Sequence, residues 1–268
     1  MKPTLSLAAL AWLTLPLIAC GQPAAPETER AEIVRPQTVQ PEIVATYPHD
    51  SAAFTQGLFI HDGAMFESTG QVGESSLRRV ELQTGHVLQQ VNINPPIFGE
   101  GSTRIGDEIF MVSWVSGAGM VFDAGTFELV DQFAYPGEGW GLTTDGNQLI
   151  LSDGSPQLRL LDPETLELTG TIDVTLNGRP VRRINELEWV DGEIWANIWQ
   201  TSMIVRIDPE TGIVTGLVDL GALLPAGVAD PRDAVANGIA VNHDTGQIYV
   251  TGKLWPVLYE IRLPGDGD

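Results

Sequence analysis

The chain has 268 residues, 43% hydrophobic and 18% charged, with 29 glycines and 18 prolines, a composition that excludes a disordered chain and suits a turn-rich globular protein. Fourteen Lys and Arg against 35 Asp and Glu give a formal charge of −21, which excludes strong attraction to nucleic acid phosphates or to an anionic membrane surface. Such an acidic surface favours solubility and draws in cationic ligands such as peptide amines, while length alone admits one large domain or two small ones.

Residues 1–19 carry one basic residue, an apolar run from Leu5 to Leu17 and small residues before Cys20, the pattern of an export signal that is too short to be a comfortable membrane span. Leu17-Ile18-Ala19-Cys20 looks like a bacterial lipobox, so Cys20 is the expected lipidation site and the periplasmic side of a bacterial envelope the expected location. Cys20 is the one cysteine in the chain, which rules out an internal disulfide and a second thiol for a metal site. Residues 20–41, rich in Pro, Ala, Glu and Gln, read as a flexible tether, and the folded domain is expected over 42–268.

From residue 54 onward one unit recurs five times. Its starts are FTQGLFI (54–60), FGEGSTRI (98–105), EGWGLTTD (138–145), INELEWV (184–190) and ANGIAVN (236–242), each followed by a turn such as HDG or DGE and a short apolar strand. A third strand runs into a hairpin, as in LLDPETLEL (160–168) and RIDPETGIV (206–214), whose Asp-Pro and Gly chemistry is typical of strand connections. Gln56, Glu100, Trp140, Asn185 and Asn237 align at spacings of 44, 40, 45 and 52 residues, which are blade lengths. Five repeats without helical periodicity predict an all-β, five-bladed β-propeller, whereas five matching hairpins in a β-sandwich would be a coincidence. The fifth unit stops at YEIRL without an outer strand, so EIVATYP (42–48) is expected to supply it and close the ring.

Equivalent positions in a propeller sit at equivalent places around one axis, which turns some odd residues into a pattern. The row of Gln56, Glu100, Trp140, Asn185 and Asn237 faces a second row, Gly70, Trp114, Gly154, Trp199 and Lys253, so tryptophans, amides, one Glu and one Lys converge on one mouth. Aromatic walls around a few convergent polar groups have the makings of a site. Trp189, Trp195 and Trp255 lie off these rows and are expected to pack the blades. Asn197 is an odd choice for a sheet core. The four histidines are scattered, and no HExxH, G-x-S-x-G, P-loop or G-x-G-x-x-G motif is present. Glu100, Asn185 and Asn237 are also hard oxygen donors, which leaves open a Ca²⁺-dependent lactonase or esterase, and a non-enzymatic ligand-binding lipoprotein remains a third reading.

FTQGL, FGEG, the SW of MVSWV, GWGL, SDGS, NELE, ANIWQT, NGIA and TGKLWP, in this order and spacing, resemble the plant-type and bacterial glutaminyl-peptide cyclotransferases over about residues 42–263. The resemblance implies a five-bladed propeller that converts an N-terminal glutamine to pyroglutamate with release of ammonia, without metal or other cofactor. It implies that Glu100 is the catalytic acid/base, that Phe54, Phe98, Trp114, Trp140 and Trp199 are aromatic walls, and that Gln56, Asn185 and Lys253 are polar contacts. Lys253 or a side-chain amide such as Asn185 is the expected oxyanion stabiliser. Peptides or proteins with N-terminal Gln are the expected partners of a monomer held to the membrane through Cys20.

Overall fold

The computed structural model describes residues 36–228 and 232–265; the expected signal and Cys20 lie outside the described residues. Among those residues every regular element is a strand except one 3-10 turn, Gly221–Leu223. Strands β1 (Gln37–Val39) and β2 (Glu42–Pro48) precede blade one, which is β3 (Thr55–His61), β4 (Ala64–Thr69), β5 (Ser76–Glu81) and β6 (Val87–Asn92). Blade two is β7 (Gly99–Ile105), β8 (Glu108–Ser113), β9 (Ala118–Asp123) and β10 (Leu129–Ala134), and blade three is β11 (Leu142–Thr144), β12 (Leu149–Leu151), β13 (Gln157–Leu161) and β14 (Leu168–Asp173). A small hairpin, β15 (Thr175–Leu176) and β16 (Arg179–Pro180), leads to blade four: β17 (Ile184–Val190), β18 (Glu193–Ile198), β19 (Met203–Ile207) and β20 (Val214–Asp219). Blade five holds β21 (Ala236–Asn242), β22 (Gln247–Gly252) and β23 (Val257–Arg262).

The first strand of each blade touches the first strands of its two neighbours, β3 to β7, β7 to β11, β11 to β17, β17 to β21 and β21 back to β3, which makes a five-bladed β-propeller. Local chemistry explains the hairpins. Asp62-Gly63 and Asp191-Gly192 both take positive φ at both residues, 49° and 70° in one and 48° and 85° in the other, as a type I′ turn requires. In the outer hairpins Asp162 Oδ1 accepts the N–H groups of Glu164 and Thr165, and Asp208 Oδ1 accepts that of Glu210, all at 2.8–2.9 Å. The core is divided into packets between adjacent blades. Phe59, Phe66, Ile109 and Phe122 join blades one and two, while Leu58, Met65, Ala240 and Tyr249 join blades one and five.

As the missing outer strand of blade five suggests, β2 pairs antiparallel with β23, from Glu42 opposite Arg262 to Pro48 opposite Val257. The seam is locked by His49, just after β2, which sits between Trp255 O on Nδ1 at 2.7 Å and Glu67 Oε1 on Nε2 at 3.0 Å. Burial works against a charge on His49, but the ion pair with Glu67 outweighs it and raises the imidazole pKa. One feature departs from expectation. Within the segment expected as a tether, β1 pairs in parallel with β20, Gln37 opposite Gly216, and gives blade four a fifth strand. Gln-Thr-Val is acceptable strand sequence meeting an open sheet edge, a signal hidden by the Pro-rich composition around it.

Candidate active site

The pairing between first and second strands slips at one equivalent place in four blades: between Thr55 and Gly57, Gly99 and Ser102, Ile184 and Leu187, and Ala236 and Ile239. Gln56, Glu100, Asn185 and Asn237 stand in these slips, and a bulge turns such residues out of the ladder. Trp140 takes the same place just before β11. Glycine after the row residue lets the strands crowd the axis: a Cβ on Gly141 would lie 2.1 Å from the carbonyl oxygen of Asn185. The glycines of the second row make room for aromatic rings, since a Cβ on Gly70 would strike Phe98 at 2.4 Å and one on Gly154 would strike Trp140 at 2.6 Å.

These side chains surround a cavity of about 380 Å³. All nine expected residues line it: Phe54, Phe98, Trp114, Trp140 and Trp199 as aromatics, and Gln56, Glu100, Asn185 and Lys253 as polar groups. Phe54 meets Phe98 edge-on at 6.1 Å, Phe98 meets Trp114 at 5.7 Å, and Trp140 meets Trp199 at 5.6 Å, so the walls are two connected aromatic runs. Trp114 and Trp199 are partly exposed at the opening, 42% and 36%, whereas Glu100 is only 5% exposed at the depth.

Gln56 Nε2 donates to Glu100 Oε1 at 3.2 Å, and Lys253 Nζ lies 4.7 Å from the centre of the Phe54 ring. Burial pushes the Glu100 carboxyl up to about 8; the Lys253 charge opposes this and the Glu138 carboxylate adds to it. Burial likewise lowers the Lys253 pKa, against the pull of Glu100 and Asp233. Asn185 Nδ2 donates to Asn237 Oδ1 at 2.9 Å, and Asn237 Nδ2 donates to Thr55 O at 2.9 Å. Asn237 is therefore a fully buried strut beneath Asn185 and does not line the cavity. The Asn237 amide oxygen is thus engaged by Asn185 and does not face the cavity beside Glu100.

Trp195 and Trp255 are buried blade packing as expected, and Trp189, half-buried, packs against the core between blades three and four while also lining a second cavity with Phe59, His61 and His243. Asn197 reaches across to blade five, where its Oδ1 accepts Gly238 N–H at 3.0 Å. Gln200, Arg232 and Asp233 also line the main cavity; Arg232 and Asp233 lie in a connection outside the repeat, whereas Gln200 directly follows the second-row Trp199 and was passed over although the repeat contains it. Glu138 was legible: residues two places before the first row fall on the same face of an extended strand, and that series reads Phe54, Phe98, Glu138, Arg183 and Val235.

Comparison with known proteins places this geometry. The family model described as glutamine cyclotransferase matches residues 14–263. A glutaminyl-peptide cyclotransferase of Arabidopsis thaliana is 42% identical over 226 residues, covering 83% of this chain and 71% of that one. The crystal structure of Myxococcus xanthus glutaminyl cyclase superposes with a TM-score of 0.80 at 39% identity, over 85% of this chain and 98% of that one. With a family match across the whole propeller and the cavity residues gathered at one mouth, the chain belongs to the glutamine cyclotransferase family.

Proposed function

We infer that the protein is a glutaminyl-peptide cyclotransferase, an enzyme that closes an N-terminal glutamine into pyroglutamate and releases ammonia. The observation that carries the mechanism is Glu100, a carboxyl at the bottom of an aromatic cavity with a pKa of about 8. A peptide α-amine has a pKa of about 7.7–8.0, so a proton passes between the two at little free-energy difference. An α-ammonium entering beside the carboxylate gives its proton to Glu100 and becomes the nucleophile. Its nitrogen attacks the side-chain Cδ, and the new N–Cδ bond makes a tetrahedral centre whose oxygen carries the charge. Glu100 then gives a proton to the departing nitrogen and takes one from the ring nitrogen, and the Cδ–Nε2 bond breaks to leave lactam and ammonia.

Lys253 is suited to the oxyanion, with side-chain amides such as Asn185 as the neutral alternative. The aromatic walls hold the glutamine side chain folded toward its own amine and keep water out, a positional gain. Glu100→Gln keeps shape and hydrogen bonding but removes the transferable proton, so ammonia release from a Gln-peptide should fall by roughly 10²-fold or more in a coupled assay. Asp153→Asn, a change at a residue paired with Arg159 outside the cavity, should cost clearly less. Near-normal turnover in Glu100→Gln removes this mechanism. We also propose export and tethering through Cys20, supported by the sequence of residues 1–20 alone.

A further inference from the structure

The connection between β10 and β11 carries a carboxylate that the mechanism above does not use. Glu138 Oε2 accepts the indole N–H of Trp114 at 2.8 Å and that of Trp140 at 2.8 Å, so a single oxygen joins two cavity walls from different blades. Its loop is tied down on several sides. The Arg159 guanidinium donates to the carbonyls of Pro136 and Glu138, Gly139 N–H donates to Trp114 O at 3.0 Å, and the Tyr135 hydroxyl donates to Ser113 O at 2.6 Å. A charged acceptor makes each of these indole bonds stronger than a neutral one would be. Without it, Trp114, 42% exposed at the mouth, would be free to turn about its side-chain bonds.

We propose that Glu138 is a positioning residue for cyclisation, which holds Trp114 and Trp140 at one fixed separation and sets the field at Glu100 from the rim. The proposal rests on the reading of this cavity as the cyclisation site. Two consequences separate it from a merely structural role. The outer wall that Trp114 forms grips the glutamine side chain equally before and during reaction, so its loosening appears first in KM. The Glu138 charge also acts directly on Glu100, in the same sense as burial and against Lys253. The charged groups around Glu100 are Lys253 and Glu138, with Asp233 and Arg232 on the cavity lining, and Arg159 paired with Asp153 behind the Glu138 loop.

The test is steady-state ammonia release from a Gln-peptide by the full-length chain, over a range of pH, together with acrylamide quenching of tryptophan fluorescence. Glu138→Ala should raise KM roughly tenfold with a smaller change in kcat, as two charge-assisted bonds are lost, and should increase quenching. Glu138→Gln keeps an oxygen acceptor but not the charge. It should raise KM less while the acid limb of kcat/KM still moves to lower pH, because the Glu100 carboxyl loses a negative neighbour. Wild-type KM, quenching and pH profile in both variants overturn the proposal. If Glu138→Ala melts early, the same readouts on Glu138→Gln decide it alone. An unaffected Glu138→Gln beside a crippled Glu100→Gln sinks this proposal and spares the cyclase reading, whereas a wild type without activity sinks both.

Discussion

At the residue scale, the site works by opposed fields on one carboxyl. Burial raises Glu100 to about 8, and a Lys253 ammonium beside it keeps it from going further. The productive complex holds one shared proton between Glu100 and the substrate amine, so both the doubly protonated and the fully deprotonated pairs are idle. We therefore expect a bell-shaped profile of kcat/KM with its maximum at about pH 8, the acid limb set by protonation of the pair and the alkaline limb by its loss. A profile flat from about pH 6 to 9 would remove Glu100 from that role. Most of this site was legible in the sequence because repetition put Glu100, Trp140 and Asn185 in one row. Asn237 shares that row yet packs beneath Asn185, since a row fixes where the backbone stands about the axis and not which partners each side chain takes. Arg232 and Asp233 come from a connection that has no counterpart in other blades, so nothing in the sequence aligned them.

At the scale of the element, β17 is the unusual strand. Where the other inner strands put Gly after the row residue, it puts Glu186, and Glu188 follows on the same face. Both are buried and accept backbone N–H groups of blade five, Ile239 at 2.9 Å and Val241 at 3.0 Å. Burial, joined for Glu186 by the neighbouring Glu188, raises Glu186 well above the carboxylate range, and burial raises Glu188 to about 8. A group with a raised folded pKa contributes stability below its unfolded value, and that stability is lost as pH rises toward the folded one. The ordinary value is 4.5, so between about pH 4.5 and 8 the melting temperature should fall with rising pH, an effect shared by Glu100 and, above its ordinary value of 6.5, by His49. Glu188→Gln keeps an acceptor for Val241 and should flatten the slope in calorimetry; an unchanged slope counts against a neutral Glu188. The repeats and hairpin turns were readable because Asp-Gly and Asp-Pro have strong local preferences. Strand β1 was not, because three residues on an edge owe their form to the neighbour and not to themselves.

At the scale of the whole molecule, the ring is held shut by non-covalent contacts alone among the described residues: β2 on β23, and His49 between Trp255 and Glu67. A chain lacking residues 1–36 keeps β1, β2 and the lock; it should leave the membrane fraction if Cys20 is the anchor, with its melting temperature unchanged. A chain lacking residues 1–50 loses all three and leaves Glu67 buried without its imidazole, a loss of about 3–5 kcal/mol for such a pair. At about 2–4 °C per kcal/mol for a domain of this size, its melting temperature should drop by about 6–20 °C. Equal melting temperatures for the two truncations sink the closure argument. Glu42 and Arg262 are paired across 220 residues, so β2 must wait for β23, the last strand made. While it waits, the edge of β23 cannot tell its own β2 from that of another copy. Closure within one chain wins only because the two ends are linked, which sets an effective concentration that dilute protein cannot match and crowded protein can. We therefore expect refolding at high protein concentration, but not at low, to give some strand-exchanged dimer, seen as a second peak in size-exclusion chromatography.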